Sequence, residues 1–185
     1  LEMTAKDLDE LAAARDLIAP GTRINITFLA TEDLPLRLAA ATAVKTYGFT
    51  PVPHVSARRL SSRTELGQFL ESLRRADAAD DIFVAGGDPD EPQGPFNDSL
   101  SVIDSGLLEL HGVRRVSIAA YPEGHPGIPH HVLWPTLTTK LAALASKQVD
   151  GLYDADLKIY EQIKKIPGIE IHTITTAQTG GMRRF

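Results

Sequence analysis

The chain has 185 residues, of which 43% are hydrophobic and 23% charged, so a single globular domain with its own core is expected. A formal net charge of −5 argues against a nucleic-acid-binding protein, and the absence of cysteine excludes disulfides and zinc–thiolate sites. No apolar run approaches the roughly 18 residues that span a bilayer, and the start of the chain lacks the order of a signal peptide. We therefore expect a cytoplasmic protein that binds neither nucleic acid nor membranes.

Segments typical of strands and of helices alternate along residues 1–147. Residues 1–3 have the pattern of a strand end, and further strands are expected at 23–29, 49–55, 81–87 and 114–121. Helical spacing with cap and stop signals predicts helices at 4–18, 33–47, 62–76, 97–110 and 132–147. The strand segments read as continuously apolar, which favours a parallel sheet covered on both faces. Their alternation with helices predicts right-handed βαβ units.

Residues 148–185 differ in composition from the preceding part. Lysine replaces arginine as the main cation after Lys140, and isoleucine becomes frequent from Ile159 onward. A helix is expected at 154–168 and a strand at 169–176, followed by a loose tail. We therefore expect two regions, a βα-repeat unit at 1–147 and an additional βα unit at 148–185, with five to seven strands in all.

The carboxyl ends of the predicted strands carry most of the chemically versatile side chains. Parallel α/β proteins bind their ligands at this edge of the sheet. We therefore expect one site there, built from residues at the ends of strands one, three, four and five: Glu2, His54, Gly86, Gly87, Asp88, Tyr121, Glu123 and His125.

Each of these residues also has a purely structural interpretation. Asp88 precedes a proline in a segment rich in turn formers, so it can simply begin a turn. His54 lies between apolar residues, where a hydrogen-bonded core histidine is more frequent than a ligand contact, and Tyr121 can do no more than cap the sheet. The phosphate-loop patterns GxxxxGKS/T and GxGxxG are absent. No metal site is expected, because the spacing of three nearby histidines matches no zinc-binding pattern: His125, His130 and His131.

Three motifs occur in a characteristic order along the chain. They are TPVPHVSARR at the third strand, GGDPDEPQGPFNDSL after the fourth and AAYPEGHP after the fifth. Together with LEMTAKD at the start, they resemble the methylenetetrahydrofolate reductase family, in particular its compact bacterial members. The similarity covers about residues 1–147 and does not extend to 148–185.

The resemblance implies a (β/α)8 TIM-type barrel, here incomplete, that holds FAD at its carboxyl rim. Members of the family pass a hydride from NADH or NADPH through the flavin to 5,10-methylenetetrahydrofolate, which becomes 5-methyltetrahydrofolate. The resemblance implies catalytic roles for Glu2, as the general acid that assists opening of the folate ring, and for Asp88, near flavin and pterin. The residues that it implies for cofactor binding are His54, Gly87, Asp88, Phe96, Asn97, Tyr121, His125 and Lys140.

The chain departs from the family pattern in several places. Gly86 stands where many members have arginine, Thr136 and Thr139 stand where they often have asparagine and arginine, and no sixth strand with the family's folate motif is recognisable after Lys147. Two alternatives therefore stay open: a truncated or recombined βα scaffold without catalysis, and a folate-binding relative that works without flavin. Because an incomplete barrel exposes strand edges, we also expect a homo-oligomer or pairing with another chain.

Overall fold

The fold is a parallel β-sheet with helices between successive strands. A computed structural model describes residues 1–29, 31–121, 124–147 and 150–154. All the strand pairs are parallel, and the strands lie in the sheet in chain order. The strands are β1 Glu2–Met3, β2 Arg23–Ile26, β3 Thr50–Ser56, β4 Asp81–Ala85, β5 Arg115–Ala119 and β6 Asp150–Asp154.

The helices between the strands fall close to the predicted positions. Asp33 and Ser62 cap two of them, accepting hydrogen bonds from the main-chain N–H groups of Leu36 and Glu65 at 2.9 and 3.0 Å. The α-helices are α1 Leu8–Ala14, α2 Leu34–Thr46, α3 Arg63–Arg75, α4 Ser99–Ile103, α5 Leu107–Leu110 and α6 His130–Ser146. Short 3₁₀ helices extend over Arg15–Leu17 and Ala57–Arg59.

The prediction of one continuous helix at 97–110 was wrong. Gly106 has φ +74, which an α-helix cannot accommodate, and it separates α4 from α5. Asp98 begins α4 in a capping box, because its carboxylate accepts the N–H of Ser101 at 2.8 Å. This break gives the chain two short helices in place of a long one.

Every connecting helix lies on the same face of the sheet. Each strand pairs with the next strand in the chain, and such parallel crossovers are right-handed in nearly all proteins. The hydrophobic core forms between this face and the helices. Its strand residues include Ile24, Ile26, Val55, Ile82, Val84, Val116 and Ile118.

The opposite face of the sheet is polar, so the prediction of continuously apolar strands was wrong. Apolar and polar residues alternate along β2 and β5, since side chains point to opposite faces with a period of two. Val52 and Phe83 lie on this second face; both are buried, yet neither belongs to the core cluster. The polar residues that alternate with core residues are Arg23, Asn25, His54, Asp81, Arg115 and Ser117.

A buried ion pair ties three strands together on the polar face. The Nε and Nη2 groups of Arg23 donate to the two carboxylate oxygens of Asp81, each at 2.9 Å. Arg23 also donates to Ser117 Oγ at 3.1 Å, and Arg115 Nε lies 3.3 Å from Asp81. Burial raises the pKa of Asp81, whereas the two arginines oppose that shift. The Asp81 side chain is 0% exposed, so its charge depends on these partners.

The sheet continues beyond Lys147. Strand β6 pairs with β5 over five positions, from Arg115↔Asp150 to Ala119↔Asp154. The sequence did not indicate a strand at these residues. A sixth strand is nevertheless present, although the family's folate motif is not recognisable in it. The predicted helix at 154–168, the strand at 169–176 and the tail lie outside the described residues from 155 onward.

None of the helices in the described ranges combines the length and the apolar character needed to cross a bilayer.

Removal of the Asp81 carboxylate is expected to destabilise the protein strongly. In Asp81→Ala, two guanidinium groups lose their buried counter-charge, which costs about 3–5 kcal/mol of unfolding free energy. Asp80→Ala is a matched control, because Asp80 is 55% exposed and lies 3.7 Å from the exposed Arg114. That control is expected to change stability by less than about 0.5–1 kcal/mol. Urea denaturation measures both, and equal losses would contradict the structural role of Asp81.

Candidate functional site

A cavity of about 590 Å³ opens at the carboxyl ends of β4 and β5. Its size falls in the range of pockets that enclose small organic ligands. The cavity is formed by the ends of β4 and β5 with the segments that follow them, by the start of α4, and by α6 as far as Lys140. Arg58, in the 3₁₀ helix after β3, also lines it. This is the edge of the sheet at which the sequence predicted a site.

One part of the cavity lining, which we call the floor, consists of residues with no side-chain atom beyond Cβ. They come from two adjacent parallel strands and the residues that follow them. They are Ala85, Gly86, Gly87, Ala119 and Ala120. At these positions the cavity offers a ligand only main-chain and methyl surface.

The two glycines after β4 are held against the 3₁₀ helix Ala57–Arg59. The N–H of Arg58 donates to the Gly86 carbonyl at 2.8 Å, and the Arg58 carbonyl accepts the N–H of Gln93 at 2.8 Å. Gly87 has φ +98, and a Cβ there would lie 2.1 Å from Ser56 Oγ. Gly87 is therefore fixed as glycine by both its backbone conformation and its neighbour.

Aromatic side chains form part of the wall above this floor. The rings of Tyr121 and His125 meet edge to face with centroids 4.7 Å apart. His125 Nδ1 accepts the N–H of Gly127 at 3.1 Å, which fixes the orientation of the imidazole. Trp134, the sole tryptophan of the chain, lines the cavity from α6 together with Leu137. Such surfaces suit a planar ring better than a small hydrophilic molecule.

Charged groups surround the same cavity. Lys140 lines it from α6, and burial lowers the pKa of its ammonium group while the nearby charge of Asp98 opposes the shift. Asp88 is 91% exposed and lies 3.3 Å from Arg59. Arg58 also lines the cavity, and its guanidinium donates to the carbonyl of Asp90. The wall thus carries both signs of charge.

Six of the site residues implied by the resemblance lie together in this cavity. They come from the segments after β4 and β5, from the start of α4 and from α6. They are Gly87, Asp88, Asn97, Tyr121, His125 and Lys140. Glu123, which the sequence placed at the same rim, lies outside the described residues.

Phe96 does not line the cavity. Its ring is 2% exposed and belongs to the hydrophobic core cluster. The neighbouring Asn97 does line the cavity, so the chain turns from the core to the site between these two residues. Phe96 is therefore a core residue. Its predicted contact with a cofactor is not supported by this position.

His54 belongs to the polar face of the sheet and not to the cavity wall. Its ring stacks on Phe83 with centroids 4.3 Å apart, and its Nε2 lies 3.3 Å from Asn25 Oδ1. Its carbonyl accepts a hydrogen bond from the guanidinium of Arg37. Burial, and then the charge of Arg37, lower the pKa of His54 to about 3. The imidazole is therefore neutral at pH 7, as expected of a core histidine.

Glu2 lies on the strand next to Asn25 and, like His54, does not line the cavity. It is half-buried, and its Cα is paired in the sheet with that of Asn25. Asn25 is therefore the strand neighbour of Glu2, and its side chain contacts His54. The predicted site residues divide into a cavity group at β4, β5 and α6, and a strand group on β1–β3 that contains Glu2 and His54.

Two residues of the cavity, Trp134 and Arg58, were not predicted from the sequence. Trp134, Leu137 and Lys140 are spaced by three residues and line the cavity from the same helix. That spacing was visible in the sequence, whereas the contribution of Arg58 depends on the fold of the segment after β3.

No cluster of metal-ligating side chains occurs in the described parts of the chain. In a comparison with known proteins, no protein-family model matches this chain. The resemblance to methylenetetrahydrofolate reductases therefore depends on the short motifs alone.

The two glycines of the floor are expected to respond differently to alanine. Gly87→Ala places a Cβ against Ser56 and requires a backbone conformation that alanine avoids, so a loss of about 1–3 kcal/mol or more is expected. Gly86→Ala meets no atom within 4 Å and is expected to change stability by less than about 0.5–1 kcal/mol. Thermal denaturation of both variants tests this, and a greater loss for Gly86→Ala would contradict the described loop.

The ionisation of His54 is expected to make the protein less stable in acid. Its pKa is lowered on folding, so its contribution is fully present above the unfolded value of about 6.5 and is lost as pH falls towards 3. Between pH 7 and pH 4 this amounts to about 3 kcal/mol. His54→Gln lacks the titration, and its urea midpoint should fall less steeply over this interval. Parallel curves for the two proteins would show that His54 is not the buried neutral group described.

Proposed function

We propose that the chain binds FAD in the cavity at the ends of β4 and β5 and reduces 5,10-methylenetetrahydrofolate to 5-methyltetrahydrofolate with NADH or NADPH. The observation that carries the proposal is that six residues implied by the resemblance line one cavity: Gly87, Asp88, Asn97, Tyr121, His125 and Lys140. The first five belong to the two motifs that follow β4 and β5, and Lys140 lies on α6. In the same proposal, the parallel sheet is part of a (β/α)8-type barrel.

The composition of the cavity fits a flavin dinucleotide. A floor without side chains beyond Cβ gives a fused ring system room to lie flat. The rings of Tyr121, His125 and Trp134 offer aromatic surface, and Lys140 and Arg58 offer positive charge for a pyrophosphate. Protein groups of this kind hold and tune a flavin, while the flavin itself carries the redox chemistry.

When bound, FAD would supply the hydride-transfer chemistry between the nicotinamide and the folate. The overall reaction consumes one hydride from NAD(P)H and one proton. We assign the proton to the carboxyl group of Glu2, which would protonate a folate nitrogen as the imidazolidine ring opens to a cationic iminium. Asp88 would stabilise that cation from the cavity side.

A second candidate is a folate-binding protein without turnover or without flavin. It is favoured by the position of Glu2, which lies on the polar face of the sheet and outside the cavity wall. A ligand that fills the cavity alone would not meet the proposed general acid. Catalysis therefore requires the folate to extend from the cavity group to the strand group, whereas binding alone does not.

The FAD proposal is tested by titrating the protein with FAD and following the fluorescence of Trp134. Binding is expected to quench the emission, since the indole lines the same cavity. Tyr121→Ala removes an aromatic wall and should weaken binding by roughly three- to tenfold. Tyr47→Ala is the control, because Tyr47 lies at the end of α2. Saturation without quenching, or equal losses in both variants, would count against this site.

The proposed proton donor is tested with Glu2→Gln in protein loaded with FAD. The amide cannot supply the proton, so turnover with methylenetetrahydrofolate should fall by about 10²–10⁴-fold while FAD affinity is unchanged. Full turnover in Glu2→Gln would refute the role of Glu2. Binding of FAD and folate with no turnover in the unaltered protein would favour the second candidate.

We also propose that the chain associates with a second copy or with another chain. In the described part of the sheet, β1 and β6 are the outer strands, and β1 is only two residues long. Unpaired strand edges favour association. Light scattering should give a mass above the monomer's 20.0 kDa, and a monodisperse monomer would contradict the proposal.

A further inference from the structure

Two buried polar atoms beside the cavity have no hydrogen-bond partner among the residues that the structure describes: Ser56 Oγ and Arg58 Nε. Ser56 is the last residue of β3, is 6% exposed and pairs in the sheet with Ala85 of the floor. A buried hydroxyl without a partner opposes folding, and folded proteins keep few of them. The retention of this hydroxyl is therefore explained by a partner that the described chain does not supply.

Both atoms belong to residues that contact Gly87. A Cβ at Gly87 would lie 2.1 Å from Ser56 Oγ and 3.7 Å from the Cβ of Arg58. Gly87 and Arg58 line the cavity. The unpartnered hydroxyl is thus in contact with the cavity lining, on the side of the cavity next to β3.

The charge of Arg58 is also uncompensated. In the described ranges no carboxylate lies within ion-pair distance of its guanidinium, whereas the neighbouring Arg59 pairs with Asp88 at 3.3 Å. The guanidinium donates only to a neutral group, the carbonyl of Asp90. That contact fixes the side chain and leaves its positive charge available to the cavity.

We propose that Ser56 and Arg58 together bind an anionic oxygen of the ligand, a carboxylate or a phosphate, beside Gly87. The serine O–H and the arginine Nε–H are both donors, and the guanidinium supplies the opposite charge. Both atoms are covered in the structure, so the ligand reaches them by a shift of the main chain at Gly86 and Gly87. Two consecutive glycines have the conformational range for such a shift.

The position of Ser56 gives this contact a role in the proposed function. Ser56 follows His54 by two residues on β3, so the two side chains lie on the same face of the sheet, and its neighbour on β4 is Ala85. The strand group and the cavity group therefore meet at Ser56. An anionic group bound there would hold a ligand that extends from one group to the other. The inference rests on the proposed function only in taking the cavity as the ligand site.

The test compares two buried serines of the same sheet face. Ser56→Ala removes a hydroxyl without a partner, so its melting temperature should equal or exceed that of the unaltered protein. Ser117→Ala is the matched control, because Ser117 is 0% exposed but accepts a hydrogen bond from Arg23 at 3.1 Å. It should melt at a lower temperature and bind ligands unchanged. Arg58→Met keeps the apolar stem and removes the charge.

Binding is measured by isothermal titration calorimetry with two anionic probes. ADP carries phosphate, and p-aminobenzoylglutamate carries carboxylate; adenosine and the dimethyl ester of p-aminobenzoylglutamate are their uncharged counterparts. For at least one anionic probe, affinity should fall by about two- to tenfold in Ser56→Ala and by about tenfold or more in Arg58→Met. The uncharged counterparts should stay within about twofold. The probe that loses affinity identifies the anionic group as phosphate or carboxylate.

The inference and the proposed function fail on different results. Unchanged affinity of both anionic probes in Ser56→Ala, equal losses for the charged and uncharged probes, or no binding of either anionic probe to the unaltered protein would overturn the inference. A melting temperature of Ser56→Ala as low as that of Ser117→Ala would also overturn it, because the hydroxyl would then have a partner in the folded chain. If FAD binds in any of these cases, the proposed function stands. If FAD does not bind while an anionic probe depends on Ser56 and Arg58, the inference stands and the proposed function fails.

Discussion

The alternation of apolar and polar residues along the strands constrains the rest of this structure. Ile24, Ile82 and Val116 and their equivalents form an apolar face that must be buried, whereas the alternate positions carry groups such as Arg23 and Asp81. Only the apolar face can accept the helices, and the sequential order of parallel strands places every crossover on that side. The charged face is then stabilised by pairing within the sheet, because buried charges require partners.

This one-sided arrangement explains why the candidate site forms at one edge of the sheet. The helices begin and end at the strand ends, and α6 starts close enough to β5 for Trp134 and Lys140 to line the same cavity as Ala119. The strand group around Asn25 has a different character, since His54 is neutral and stacked on Phe83. A ligand that takes part in the proposed reaction has to connect these two environments. That requirement separates the redox proposal from simple binding.

The sequence predicted the order of helices and strands better than it predicted which side chains meet in the folded protein. Apolar runs, cap residues and Pro/Gly stops were local signals, and they identified most helices and the strands β2 to β5. Gly87, Asp88, Tyr121 and His125 were predicted from their positions after strands, whereas Asn97 and Lys140 were implied only by the family resemblance. The prediction of one common site was less accurate for Phe96, His54 and Glu2. Whether such a side chain points to the core, the cavity or the polar face depends on strand register and twist, which the sequence does not reveal. Strand β6 was missed because Asp150–Asp154 contains one strongly apolar residue, Leu152, and its pairing with β5 is a long-range contact.

We propose above that a flavin binds in the cavity at the ends of β4 and β5. Nuclear magnetic resonance of the ¹⁵N-labelled protein during addition of FAD locates the bound flavin residue by residue. We expect large shifts for the amide signals of Gly86, Gly87 and Ala120 and for the indole N–H of Trp134, with the signals of α2 and α3 unchanged. Shifts confined to other parts of the molecule, or no shifts at saturating FAD, would contradict it.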